Sequence, residues 1–184
     1  LLSSLKKVGL TPSDINYVVL THINWDHCLN IDLFQKSIIV LHENEYKYGT
    51  LSGSYDGLTK YFKEMLSGMN LKLINGEYEI VQGIKIIPTP GHTPGHISVL
   101  AGDTLIAGDA IPNLRAYRRG VPDFVFYDLE EAKESIRKIK ELKPSVIIPG
   151  HDSPFNENWY IERDELRLIF RRENEENMII ALNY

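Results

Sequence analysis

Tyr17-Val18-Val19-Leu20, followed directly by Thr21-His22-Ile23-Asn24-Trp25-Asp26-His27, is the stretch on which the fold turns. The first four residues are a compact β-branched run that reads as a buried strand, and the polar cluster falls at its C-terminal end. In layered α/β proteins chemistry collects at such ends. Three further strand ends carry the same kind of residue: Thr89-Pro90-Gly91-His92-Thr93-Pro94-Gly95-His96, then Gly108-Asp109, then Gly150-His151-Asp152. The neighbouring Gly91, Gly95, Gly108 and Gly150 permit close backbone approach and unusual φ angles, so a tight turn presents each side chain rigidly. Imidazoles and carboxylates gathered in this way suit borderline metals such as zinc, iron or manganese.

Toward the N-terminus, Leu2, Leu5, Val8 and Leu10 stand at near-helical spacing and predict a short helix ending near Gly9, with a turn over residues 11–14. Toward the C-terminus, residues 37–41 predict a second strand and residues 49–57 a surface loop. Leu58, Tyr61, Phe62, Met65, Leu66 and Met69 predict a helix with one apolar face. Asn75-Gly76, between apolar runs at 71–74 and 78–81, predicts a hairpin, because this pair accepts the positive φ angles of a tight turn. Residues 83–87, 97–100 and 104–106 are further strands. Asp128 caps a helix, with Glu131 at the capping-box position and Leu129, Ala132, Ile136, Ile139 and Leu142 as its buried stripe; Pro144 ends it. Residues 146–148 form a last buried strand, and a polar, partly helical tail with Trp159, Leu166, Ile169 and Phe170 closes the chain. Strands alternating with helices predict an α/β fold.

The 184 residues, 43% of them hydrophobic, suffice for one domain with its own core. Twenty Lys plus Arg against 25 Asp plus Glu leave a charge of -5, so neither nucleic acid nor a membrane is expected as a partner. No apolar run approaches the roughly 18 residues that cross a bilayer, and the start lacks the pattern of a secretory leader. Cys28 is the only cysteine, which excludes an internal disulfide and a multi-cysteine zinc cluster. These features together read as a cytoplasmic protein.

The order His-x-x-x-Asp-His, Gly-His-Thr-Pro-Gly-His, Gly-Asp, Pro-Gly-His resembles the metallo-β-lactamase superfamily, particularly its glyoxalase II-like and lactonase-like hydrolases. The resemblance runs over about residues 15–153, and four motifs in order are far more specific than any one of them. It implies an αββα sandwich, two sheets face to face with helices outside and a metal site at one edge, in a single domain over 1–184. It also implies a ligand set: His22, Asn24 and His92 on a first ion, Asp26, His27 and His151 on a second, and Asp109 bridging. The implied cofactor is one or two zinc ions, with iron or manganese as alternatives. In such a site a metal-bound hydroxide attacks an ester, thioester or lactone in a small-molecule substrate, and Asp26 orients it or protonates the leaving group.

The chain departs from that pattern twice. Position 24 is Asn where these hydrolases usually carry His, and a neutral amide oxygen is a poorer donor than imidazole. A weak first site is expected, with the second filling first. The family also has strands ahead of its first histidine motif, where this chain has a short helix. Either those strands lie outside this sequence or the first sheet is reduced, and an open sheet edge would then call for a second copy as a homodimer.

Other residues have plainer readings. His96 is expected to support the site, His42 to lie on the surface, and Cys28 to be a small buried side chain. Arg115, Arg118 and Arg119, with Tyr117, either meet an anionic substrate group or form a solvated loop. Tyr46, Tyr48 and Tyr55 either form a lid or pack beneath a long loop. Two functions compete with hydrolysis: a metal-dependent nuclease or phosphodiesterase, disfavoured by the acidic charge, and a metal-binding scaffold weakened by Asn24.

Overall fold

The computed structural model describes residues 1–51, 59–156, 166–172 and 175–182. Helix α1 (Leu2–Lys7) and a 3-10 turn (Pro12–Asp14) lead into β1 (Tyr17–Val19). The turn is closed by Asp14, whose carboxylate accepts from both the backbone N–H and the hydroxyl of Thr11. A single helical turn α2 (Trp25–Cys28) precedes β2 (Ile38–His42), α3 (Glu43–Leu51), α4 (Thr59–Leu66) and β3 (Asn70–Ile74). Strands β1, β2 and β3 form one sheet in that order, parallel throughout.

The second sheet takes β4 (Tyr78–Val81), β5 (Ile84–Pro88), β6 (Ile97–Ala101), β7 (Thr104–Gly108) and β8 (Val146–Pro149), again in sequence order. Helices α5 (Leu114–Arg119) and α6 (Leu129–Leu142) lie between its last two strands. Because β6 runs antiparallel to both β5 and β7, those two point the same way, and β8 runs parallel to β7. The C-terminal ends of β5, β7 and β8 therefore open on one edge. Thr21 joins the first sheet to that edge, its carbonyl accepting from Ile97 N at 2.9 Å.

Alternation along β2 builds the layers. Ile39 and Leu41 face Leu20, Ile23, Phe62 and Leu66 on the helical side, while Val40 meets Ile74, Ile86 and Ile97 between the sheets. On the far face of the second sheet, Ile87, Leu105 and Ile147 pack with Ile136 and Ile139 of α6 and with Phe155. Helices thus cover both outer faces, which is the sandwich the motifs imply.

Several local expectations are corrected. Asn75-Gly76 is not a hairpin: β3 pairs with β2 and β4 pairs with β5, so this turn passes the chain from one sheet to the other. Gly76 does take a positive φ of 101°, as expected. Turn chemistry fixes a reversal of direction but not the strands' partners, which are chosen by the apolar faces of Tyr78 and Ile80 against Val40 and Ile86. Residues 49–51 close α3 instead of opening a loop; the rest of that expected loop, with Tyr55, Leu58 and later Trp159, lies outside the described residues. Residues 166–172 and 175–182 of the tail are two antiparallel strands, β9 (Leu166–Arg172) and β10 (Glu175–Leu182), and not helix. Short apolar runs fit either period, so spacing alone misleads there.

Strand β1 is an edge strand, with Tyr17 41% exposed, so it is less buried than its composition predicts. In α6 the buried stripe is Ala132, Ser135, Ile136 and Ile139, whereas Leu129 and Leu142 are exposed at the helix ends. Asp128 does cap it, accepting from Glu131 N at 2.9 Å. His42 is buried, because its Nδ1 accepts from Asn44 N at 3.1 Å and satisfies an otherwise orphaned donor at the start of α3.

Candidate metal centre

Every strand end flagged by the sequence delivers its side chain to the same place. His22 follows β1, Asp26 and His27 sit on α2, His92 follows β5, Asp109 follows β7 and His151 follows β8. The ligand-type atoms fall into two groups, His22 with His92 and Asp109, and Asp26 with His27 and His151. Within each group they lie within 4.8 Å of one another. The first group is buried, while Asp26 and His151 of the second face solvent.

Asp109 stands between the two. Its Oδ2 is 3.7 Å from His22 Nε2, 3.5 Å from His92 Nε2 and 3.2 Å from His151 Nε2, and its Oδ1 is 3.5 Å from His27 Nε2. Asp26 Oδ2 lies 3.4 Å from His27 Nε2 and 3.6 Å from His151 Nε2. Burial alone would raise the Asp109 carboxyl, but the imidazoles of His151, His27 and His22 hold it far below the ordinary carboxylate range.

The decisive detail is what the buried atoms lack. His22 Nε2, His92 Nε2 and Asp109 Oδ1 are sealed from solvent and have no hydrogen-bond partner among the described residues. Buried polar groups are almost always paired, so two orphaned imidazole nitrogens facing Asp109 Oδ2, with the orphaned Oδ1 turned toward His27, mark a place built for an electron-pair acceptor. His92 is oriented for that role: a carbonyl can only accept, so Nδ1–H donates to Phe124 O at 3.0 Å and Nε2 is left as a lone pair.

His96 has the opposite arrangement. Its Nε2 accepts from Asp109 N at 3.0 Å and from Ala110 N at 3.3 Å. That leaves Nδ1–H to donate to Thr89 Oγ1, which in turn donates to Ser98, and Ser98 to Ala107 O. With both nitrogens used, His96 fixes the backbone that carries Asp109. Glycine serves the same end at position 150, where a Cβ would strike the Asp109 carboxylate.

Burial keeps His22 and His92 below the ordinary imidazole value of 6.5 and His96 at about 3, whereas the hydrogen bond to Asp109 raises His151. In the unfolded chain these rings titrate near 6.5. Below that value the unfolded chain binds more protons at the three buried rings than the fold does, so their burial lowers stability as pH falls. The buried Glu45 carboxyl, raised to about 7, takes up its proton earlier in the fold and offsets one of the three, while the gain from His151 is complete by about 6.5. The urea midpoint of metal-stripped protein is expected to drop steadily from about pH 7 to about pH 5. A flat profile over that window would contradict neutral burial of the three rings.

Residues 1–151 match the model of the metallo-β-lactamase superfamily. The chain belongs to that superfamily. An N-acyl homoserine lactonase from Bacillus sp is 36% identical to it over 158 residues, covering 80% of this chain and 60% of the relative. A probable metallo-hydrolase from Methanocaldococcus jannaschii is 30% identical over 152 residues, 83% of this chain and 64% of that protein. Among solved structures, an N-acyl homoserine lactone hydrolase with its product N-hexanoyl-L-homoserine at the catalytic metal centre superposes with a TM-score of 0.70 at 31% identity. That match covers 82% of this chain and 61% of the other. The chain spans about 60% of the length of the lactonase relatives it matches.

In this metallo-β-lactamase chain the centre opens into a cleft of about 290 Å³, walled by Trp25, Phe124 and Phe126 and reaching Asn24, Asp26, His92, Asp109 and His151. Asn24 precedes α2 but makes no side-chain cap, so its amide is not spent on the helix. Arg115, Arg118 and Arg119 stand on α5 and not on a loop; Arg115 and Arg119 pair with Asp123 at 2.9 Å, and none of the three lines the cleft. Tyr117 is a core residue packed on Phe155, and Tyr46 and Tyr48 pack against the helical core. Cys28 is buried, its thiol donating to Ile23 O.

Sequence reasoning missed Phe124, Phe126 and Asp123, which lie on a loop without periodic pattern. It also missed Glu45, a fully buried carboxylate. A signal existed: Glu45, Tyr48 and Gly49 share one face of α3 at helical spacing, and a lone acid on a packed face needs partners.

Proposed function

We propose that this chain carries a zinc centre that opens lactones of the N-acyl homoserine class, with iron or manganese as alternative ions. The observation that carries the reading is the set of orphaned atoms on His22, His92 and Asp109, beside a second triad of Asp26, His27 and His151. Two imidazoles and a carboxylate in each group are a donor set that fits zinc. A bound ion would supply Lewis acidity toward the lactone carbonyl and ease deprotonation of water.

The remaining work falls to the chain's own groups. Asp109 neutralises charge between the triads, and His92 keeps its proton on Nδ1. Asp26 Oδ2, at the cleft, takes a proton from the attacking water and returns it to the ring oxygen as the ester C–O bond breaks. Trp25, Phe124 and Phe126 give an apolar wall for an acyl chain and exclude water from it. The lining holds three carboxylates, Asp26, Asp109 and Asp123, and no Lys or Arg among the described residues, which disfavours a phosphodiester polyanion. Kinship to the lactonases supplies the substrate class.

The test is a hydrolysis panel of N-acyl homoserine lactones, thioesters and phosphodiesters, run with elemental analysis of protein purified without added metal. Lactone opening is expected to lead the panel, and a preference for phosphodiesters would sink the assignment. Asn24→His is expected to raise both zinc stoichiometry and lactonase rate, by roughly tenfold in rate, since imidazole is the better ligand. An unchanged stoichiometry would mean that Asn24 plays no part in binding.

A further inference from the structure

Glu45 is fully buried on α3 and, among the described residues, forms no ion pair and no hydrogen bond to the six candidate ligands above. Its carboxylate nevertheless accepts three hydrogen bonds, all from the two histidine loops. Oε1 takes Ile23 N at 3.1 Å, and Oε2 takes the Thr93 hydroxyl at 2.7 Å and Gly95 N at 2.9 Å. Ile23 is the residue after His22, and Thr93 is the residue after His92. One carboxylate therefore joins the neighbours of both imidazoles of the buried triad, whose rings stand 4.8 Å apart. Contact is close enough that a Cβ on Gly95 would strike the backbone of Glu45 itself.

Burying an acid without a cation is costly, and it is kept only where its acceptor capacity is used. Burial pushes Glu45 up to about 7, against the pull of its three donors. A neutral side chain of the same shape cannot replace it. Glutamine offers one acceptor oxygen, so either Ile23 N–H or Gly95 N–H would face an amide NH2 and lose its partner.

We infer that Glu45 is a positioning residue that fixes the separation of His22 and His92, and so prepares the buried triad before an ion arrives. This rests on the metal reading above. The claim concerns affinity: without the clamp, an ion must order the two loops itself, and its binding weakens accordingly.

The experiment is a competition between the whole chain and a chromogenic chelator for zinc alone, with urea unfolding of metal-free and zinc-loaded protein alongside. Glu45→Gln is expected to bind zinc about 10-fold to 100-fold more weakly, the range seen when supporting partners of metal ligands are removed. Thr93→Val, which removes one donor of three, is expected to lose about threefold, and Thr93→Ser, which keeps the hydroxyl, to match the parent. A purely structural acid would lower metal-free and loaded stability equally and leave affinity unchanged. Parent-like zinc affinity in Glu45→Gln overturns the inference. If that variant does not fold, equal affinities in Thr93→Val and Thr93→Ser overturn it instead. A parent chain that holds no zinc removes the metal reading itself, an outcome the variants cannot mimic.

Discussion

Asp109→Asn is expected to lower lactone turnover by roughly 10³-fold or more, because it removes the one charge shared by both triads. Four imidazole nitrogens from three separate motifs lie 3.2 to 3.7 Å from this carboxylate. An amide has the same outline but no charge, and its NH2 would face nitrogens whose lone pairs are needed elsewhere. The fold should survive. The backbone of Asp109 is held by His96, and the space beside Gly150 is unchanged by the isosteric swap. Far-UV circular dichroism should match the parent while zinc content and kcat fall together. A variant with full metal content and more than a tenth of parental activity would contradict a bridging role for Asp109.

The second large effect is metal removal. At free zinc a thousandfold above Kd, binding adds about 4 kcal/mol to the stability of the fold. For a chain of this size each kcal/mol moves Tm by about 2–4 °C, so exhaustive chelation is expected to lower Tm by about 10 °C. The physical source is visible in the site: without an ion, His22, His92 and Asp109 hold buried atoms that nothing satisfies. Readdition of zinc should restore the parental Tm, whereas magnesium, which prefers oxygen ligands, should not. Identical melting with and without chelator would leave those atoms unexplained by a metal.

The site was far more legible than its surroundings. His22, Asp26, His27, His92, Asp109 and His151 could be picked out because each sits at a strand end beside a tight turn, in an order that chance rarely produces. Their convergence followed from the opposed direction of β6 relative to β5 and β7, the parallel pairing of β8 with β7, and the bond from Ile97 to Thr21 that brings the first sheet to the same edge. The misreadings have a common cause. Asn75-Gly76 marks a reversal, and Leu166, Ile169 and Phe170 mark apolar spacing, yet neither names a partner. Pairing is decided by faces that belong to distant segments, which local chemistry does not contain. His42 was misplaced for the same reason, since the start of α3 that it caps was not recognised.

Residue type and order by themselves determined which imidazoles and carboxylates gather at one place, the turns that present them, and family membership, because side-chain chemistry and glycine conformations are local properties of the chain. Only the tertiary structure decided that Asp109 stands between the triads and that Gly76 links two sheets. It also decided that Arg115 and Arg119 of α5 are spent on Asp123 and that Glu45 ties the two histidine loops together. Those are distances between segments far apart in sequence, set by how the layers pack, and no short stretch of residues encodes them.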